Sequence, residues 1–271
     1  MTLVAEIAAT SVLLLAAILF ILQSVAREVG YAIGRHHAAR HPGAGETVGV
    51  VVGAMLALLA FILALTLSFA STRFSERRAD TLSESNAIGT AWLRAEAIGH
   101  PRGLVIAWLI EDYARTRANF IRADNDPATL DAITQRTQAL QTQIWGNLAA
   151  IVRERPDPIS AALQASLNDM FDTSSAARFA YSLRLPPGLF WLLIGMALLG
   201  MGALGFQFGL RGNPTRLLST LLAVLWTLVI VDILDLAAAR LGAVRTSAAV
   251  HDWTIQGFGQ DIPIPSPPPP R

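Results

Sequence analysis

The sequence predicts an all-α, multi-pass membrane protein with four transmembrane helices and a helical soluble domain between the second and third. Three observations predict it. The chain is 53% hydrophobic and 15% charged, with a mean hydropathy of +0.46. Several apolar runs are long enough for a hydrocarbon core of about 30 Å, and only helices or closed barrels satisfy their backbone there. The one long polar stretch, residues 73–184, carries helix punctuation and almost no period-2 alternation.

The first run, Ile7 to Ala26, holds no charge. It is read as a span and not as a cleaved leader, because Glu6 precedes it, no Arg does, and it is long for a signal core. A short loop follows with Arg35, His36, His37, Arg40 and His41. His37 and His41 have an i, i+4 ligand spacing, but Pro42 follows at once and no carboxylate stands nearby. The loop therefore reads as solvated or headgroup-facing, with no metal site.

The second run, Val48 to Thr72, is uncharged and at 1.5 Å per residue reaches roughly 37 Å. No Pro or Gly interrupts the sequence from there to Gly89. One helix is thus expected from about Val48 to at least Ile88, leaving lipid through Arg73-Phe74-Ser75-Glu76-Arg77-Arg78 and joining a membrane segment to a soluble one. Phe61, Leu65 and Phe69 step by four along it, with Arg73 and Arg77 continuing the row. Each such step drifts about 40° on a straight helix, so a strict line runs Phe61, Leu65, Ser68, Thr72 and Glu76. Two readings stand for the arginines Arg73, Arg77 and Arg78: vestibule charge, or markers of the interface paired with Glu76 and Asp80.

Residues 73–184 divide at Gly99-His100-Pro101, at Asp124-Asn125-Asp126-Pro127 and at Pro156-Asp157-Pro158. Between the last two breaks, Leu130, Ile133, Thr137, Leu140, Ile144, Leu148 and Ile151 form one apolar stripe. Ile159, Leu163, Leu167, Met170 and Phe171 give the next helix a similar face. Leu185 to Leu210 is the third span, and its Gly205 and Gly209 suit close helix contact. The fourth, Leu217 to Ala239, is interrupted only by Asp232 and Asp235. These two share a face, and pairing with arginines of a neighbouring helix is the expected state. The domains are therefore 1–72, 73–184, 185–240 and a tail, 241–271, that is Pro-rich and disordered at its end.

A family resemblance rests on the segment after the second span. Arg73-Phe74-x-x-Arg77-Arg78, followed by Glu84-Ser85-Asn86-Ala87-Ile88-Gly89-Thr90-Ala91-Trp92-Leu93-Arg94, resembles the R-F-x-x-R-R and E-A-N-A-I-G-T-x-x-L-R signatures of a bacterial membrane-protein family of unknown function called bestrophin-like. Tyr113-x-x-x-Arg117, Trp145, Arg178, Leu185-Pro186, Asp235-Leu236, Gly242 and Arg245 extend the resemblance over roughly residues 45–250. Ala237-Ala238-Ala239 stand where the family's closing D-L-D-R-P-x-x-G-x-x-R has Asp, Arg and Pro. True bestrophins are pentameric anion channels, and Phe61, Leu63, Leu65 and Arg73-Phe74 keep the spacing of their neck. Ala64, Leu65 and Phe74 replace its Gly, second Phe and Trp.

What the resemblance implies is an oligomeric, chloride-like anion channel of the bacterial inner membrane, possessing a hydrophobic neck at Phe61, Leu65 and Phe69. Glu84, Asn86, Gly89, Arg94 and Asp235 are its structural motif residues. Glu84 and Asn86 are expected to be buried and hydrogen-bonded, cross-linking helices of adjacent subunits. The alternative is a non-conducting scaffold whose helical domain binds a partner protein. No phosphate loop, nucleophile motif or specific metal cluster suggests an enzyme or a cofactor, and a net charge of +1 gives no long-range field for nucleic acid. All basic residues are Arg, as in a GC-rich bacterium. Arginines near the spans number seven on the side of the helical domain and five opposite, which leans toward a cytoplasmic domain.

Overall fold

Proline and glycine divide the chain into eight helices among the described residues, and no strand occurs among them. In the computed structural model those residues are 12–40, 45–183, 186–213, 215–240, 242 and 244–259. The helices are α1 (Val12–Ala38), α2 (Gly45–Ala97), α3 (Pro101–Arg122), α4 (Pro127–Glu154), α5 (Pro158–Ser182), α6 (Pro187–Arg211), α7 (Arg216–Ala237) and α8 (Ala249–Gln256). Four of them, α1, α2, α6 and α7, are long and apolar enough to cross a membrane.

Helix ends follow local chemistry. α2 runs unbroken for 53 residues and stops just before Gly99, whose φ of 66° favours glycine. His100 then caps α3, its Nδ1 accepting from the Arg102 amide at 3.1 Å, with Pro101 in the first turn. Asp126 caps α4 by accepting from the Thr129 amide at 2.9 Å, and Asp157 does the same for α5 at Ser160, 2.8 Å. These bonds hold both carboxyls below the usual range, the hydroxyl and amide of Thr129 acting on Asp126 and the Ser160 amide on Asp157. α1 extends past its apolar run through Arg35, His36 and His37, so these residues are helical and not part of a loop. The His37 ring packs 5.9 Å from that of Phe206. His41 lies outside the described residues.

The chain forms two compact units, the first made of residues up to Glu76 with Ser182–Arg245, the second of Arg77–Tyr181 with residues from Thr246 on. In the first, Leu59, Leu63, Leu193, Ala197, Met201, Trp226 and Ile230 share a core. Within lipid such packing rests on close contact more than on exclusion of water, and small residues permit it. A Cβ on Gly205 would overlap the Arg27 carbonyl and one on Gly209 the Tyr31 carbonyl. Gly30 and Gly34 are equally blocked by the carbonyls of Gly202 and Phe206. The glycine pairing expected in the third span thus has a partner pair on α1. Gln23 donates to the Thr227 hydroxyl at 2.9 Å, both buried.

In the second unit, the far half of α2 packs Ile88, Ala91 and Trp92 with Ile106 and Ile110 of α3. Leu140, Ile144, Leu148 and Ile151 of α4 and Leu163, Leu167 and Met170 of α5 complete this core. The stripe read on α4 is buried from Thr137 onward. On α5 Ile159 departs from expectation and lies exposed, one turn before the helix meets the core. The tail contributes α8, whose Ile255 packs on this core, as does the following Phe258. The prolines after Ile262 lie outside the described residues.

Candidate functional site

One face of α2 is left unpacked by the rest of the chain along almost its whole length. It comprises Val51, Ala54, Leu58, Phe61, Leu65, Ser68, Thr72, Ser75, Ala79, Leu82, Asn86, Gly89 and Leu93. Gly89 is half-buried and all the others are exposed, Phe61 by 58% and Leu65 by 52%. The spacing alternates between three and four residues throughout, the 3.5 repeat that holds a seam on one side of a gently supercoiled helix. Every residue in it is uncharged. From Arg73 on, the charged residues of α2 (Arg73, Glu76, Arg77, Arg78, Asp80, Glu84, Arg94 and Glu96) all fall elsewhere on its circumference. The seam continues from Thr72 to Ser75, where the sequence reading turned to Glu76.

Phe69, also exposed, sits beside this seam. The Arg73 guanidinium lies 5.0 Å from the Phe69 ring centroid and donates to Glu76 at 2.9 Å. Arg77 is buried and Arg78 exposed. The three arginines thus have three different environments. Its carbonyl accepts from the Thr81 hydroxyl at 2.7 Å.

Opposite the seam, Glu84 is wholly buried and forms the centre of a polar cluster. Arg117 of α3 grips it with two donors, Nε to Oε1 and Nη2 to Oε2 at 3.3 Å. Arg117 Nη2 also reaches the Ser174 carbonyl of α5 at 3.5 Å, and the guanidinium stacks 4.4 Å over the Phe120 ring. From α8, His251 places Nε2 at 3.7 Å from Glu84 Oε2, with its ring fully buried. Ser85 donates to the Val250 carbonyl at 2.8 Å, and its hydroxyl lies 2.8 Å from that of Thr254. Four helices therefore converge on one carboxylate. Beside it, burial pushes the Tyr113 phenol above its ordinary value, with the Arg117 charge opposing, while Gln141 donates to its oxygen at 3.3 Å.

Glu84 matches the burial read from the sequence, and Arg117 and His251, its partners here, belong to its own chain. Asn86 does not match it. Two residues on from Glu84, it has turned by about 200° and lies exposed on the seam. Arg94 is exposed and donates to the Ala162 carbonyl at 2.8 Å. At Gly89 a Cβ would make only ordinary contact, 3.5 Å from Thr254 Cγ2. Asp235 accepts from the Val244 amide at 3.3 Å, beneath Gly242, whose φ of 88° and missing Cβ both serve the carboxylate's approach. This backbone partner was not foreseen from the sequence, and Asp232 on the same helix is exposed. His251 was missed altogether. Its only signal was the amphipathic run Ala249–Gln256 ahead of the prolines.

A family model described as the Bestrophin-like domain matches residues 13–249. No curated protein and no solved structure matches the chain.

Proposed function

Because the chain belongs to the Bestrophin-like family, we propose that it is a homo-oligomeric, chloride-like anion channel of the bacterial inner membrane. Its axis is lined by the uncharged seam of α2, and residues 77–181 lie on the cytoplasmic side. The seam is the observation that carries this reading. An apolar helix face inside lipid needs no further partner, but a helix face in water normally carries charge. Here charge is plentiful on α2 beyond Arg73 and absent from the seam. Copies of α2 arranged around an axis, as in a pentamer, account for that. Phe61 and Leu65 would form a neck that resists wetting, and the Ser68, Thr72 and Ser75 hydroxyls and the Asn86 amide would offer neutral donors to anions. Arg73, paired with Glu76, would set a positive group beside this path.

The exposed Trp108 (69%), beside Leu104 and Val105 on α3, favours the second reading, a scaffold that binds a partner protein through this surface. Bilayer recording separates the two. Phe61→Ala with Leu65→Ser should wet the neck and raise chloride current over the wild type. Silence of both proteins across voltage, pH and calcium would leave the scaffold.

A further inference from the structure

The two edges that border the α2 seam differ in bulk and in charge. Along the 3.5 repeat, Met55, Ile62, Phe69 and Glu76 follow one another at seven-residue steps on one edge. Ala57, Ala64, Ser71 and Arg78 do so on the other. The first edge is large, with Met55 and Ile62 half-buried and Phe69 42% exposed. The second is small up to Arg78, and all four of its residues are exposed. A Cβ on Gly53, about one turn before Ala57, would meet no atom within 4 Å, so no other described element fills the space there.

Charge follows the same division. Glu76, its side chain 49% exposed, is held on the large edge by Arg73 at 2.9 Å. Arg78 stands exposed at the end of the small edge. The edges thus carry opposite charge at nearly one level of the helix, about 3 Å apart along its axis. In parallel helices lying side by side, the residues that border a seam are those that pair between chains. Inside lipid, Ala and Ser let a neighbouring backbone approach closely, and contact replaces exclusion of water as the attraction. Two large edges set together would bring Glu76 against Glu76, and two small ones Arg78 against Arg78. Large against small matches both bulk and sign.

We propose that these edges are the contact between copies of this chain, the large edge of one copy packing on the small edge of the next, with Glu76 beside the neighbour's arginine. Such a contact joins two different surfaces, so repetition closes a ring and turns every seam toward its axis. The proposal rests on the oligomeric reading above and adds which surfaces form the contact. It is independent of whether the ring conducts ions.

The test uses the full chain, which has no cysteine of its own. Ala64→Cys and Phe69→Cys put one thiol on each edge. Their Cα atoms lie roughly 9 Å apart along one helix, beyond the reach of a disulfide within the chain. Oxidised in membranes, the double variant should give a ladder of dimer, trimer and larger species, because each copy is joined to both neighbours. A single cysteine can reach only a dimer, and each single variant should yield far less product. Adding Arg78→Glu to the double variant sets like charges at the contact and should lower ladder yield several-fold, and adding Glu76→Arg as well should restore it. Ala64 is exposed within the chain, so Ala64→Phe should leave the protomer's Tm unchanged while shifting the oligomer toward protomers on size exclusion in detergent. The proposal is overturned if the double variant stops at dimers, if single variants link as fully, if charge reversal leaves the yield unmoved, or if Ala64→Phe keeps the oligomer intact, as an edge covered by lipid would. Leu82→Cys on the seam separates the two readings. Its cross-linking without the ladder overturns the edge contact alone, and loss of both overturns it together with the oligomer.

Discussion

Removing the Glu84 carboxylate should destabilise the second unit far more than removing the whole ion pair. In Glu84→Ala, the Arg117 guanidinium stays 2% exposed with its two carboxylate bonds gone. Among the described residues it keeps the long contact to the Ser174 carbonyl and the Phe120 ring, and His251 loses the carboxylate at 3.7 Å. Breaking one side of a buried pair costs about 3–5 kcal/mol. For a unit of this size, about 1 kcal/mol moves Tm by roughly 3–6 °C, so the expected fall is on the order of 10–30 °C. Replacing both partners, Glu84→Leu with Arg117→Met, should recover much of that fall, because no uncompensated charge remains. Circular dichroism of the purified protein in detergent reads the transition. Hydrogen exchange over Ala249–Gln256 should rise in the single variant, since α8 loses its contact with the carboxylate. A single variant melting within about 2 °C of the wild type, or a double variant no better than the single, would refute the argument that charge compensation holds these helices together.

Other expectations follow from the same geometry. The chain lacks cysteine, so Ser75→Cys or Leu82→Cys on the seam should cross-link copies in oxidised membranes, while Asp131→Cys on the exposed face of α4 should not, as read by non-reducing electrophoresis. Gly209→Val should loosen α1 from α6, because its Cβ has no room beside the Tyr31 carbonyl; overpacking of this kind costs about 1–3 kcal/mol and should lower Tm in detergent. Acid should fray the starts of α4 and α5. Asp126 and Asp157 have depressed folded values, so their stabilisation is present above the unfolded carboxyl value of about 3.9 and is lost as pH falls through the folded one. Protection of the Thr129 and Ser160 amides, measured against the intrinsic exchange rate at each pH, should therefore fall as the pH is lowered through the folded values. Asp126→Asn keeps a cap and should remove that dependence at Thr129.

The four apolar helices, the unbroken passage of α2 from Val48 past Ile88, and the three breaks in residues 73–184 were written locally, in runs without charge and in Gly, Pro and Asp. Such features depend on neighbours a few residues away, so a linear reading reaches them. The α4 stripe from Thr137 to Ile151 was legible for the same reason, its period matching the helix. Partner identity was not. That Glu84 meets Arg117 and His251 requires residues 33 and 167 positions distant to arrive at one point, and no periodicity encodes that. Asn86 and Glu84 look alike as motif residues, yet 100° of rotation per residue sends one to the core and the other to the surface. Which face of α2 is buried is decided by what packs on it, and the uncharged seam becomes visible only once the buried side is known. Gly242 and Asp235 were separate letters until the turn after α7 put a backbone amide on the carboxylate. Sequence determined where helices begin and end because capping, charge and apolar length act over short range; tertiary structure alone decided which side chains meet, because packing acts between residues that the chain keeps far apart.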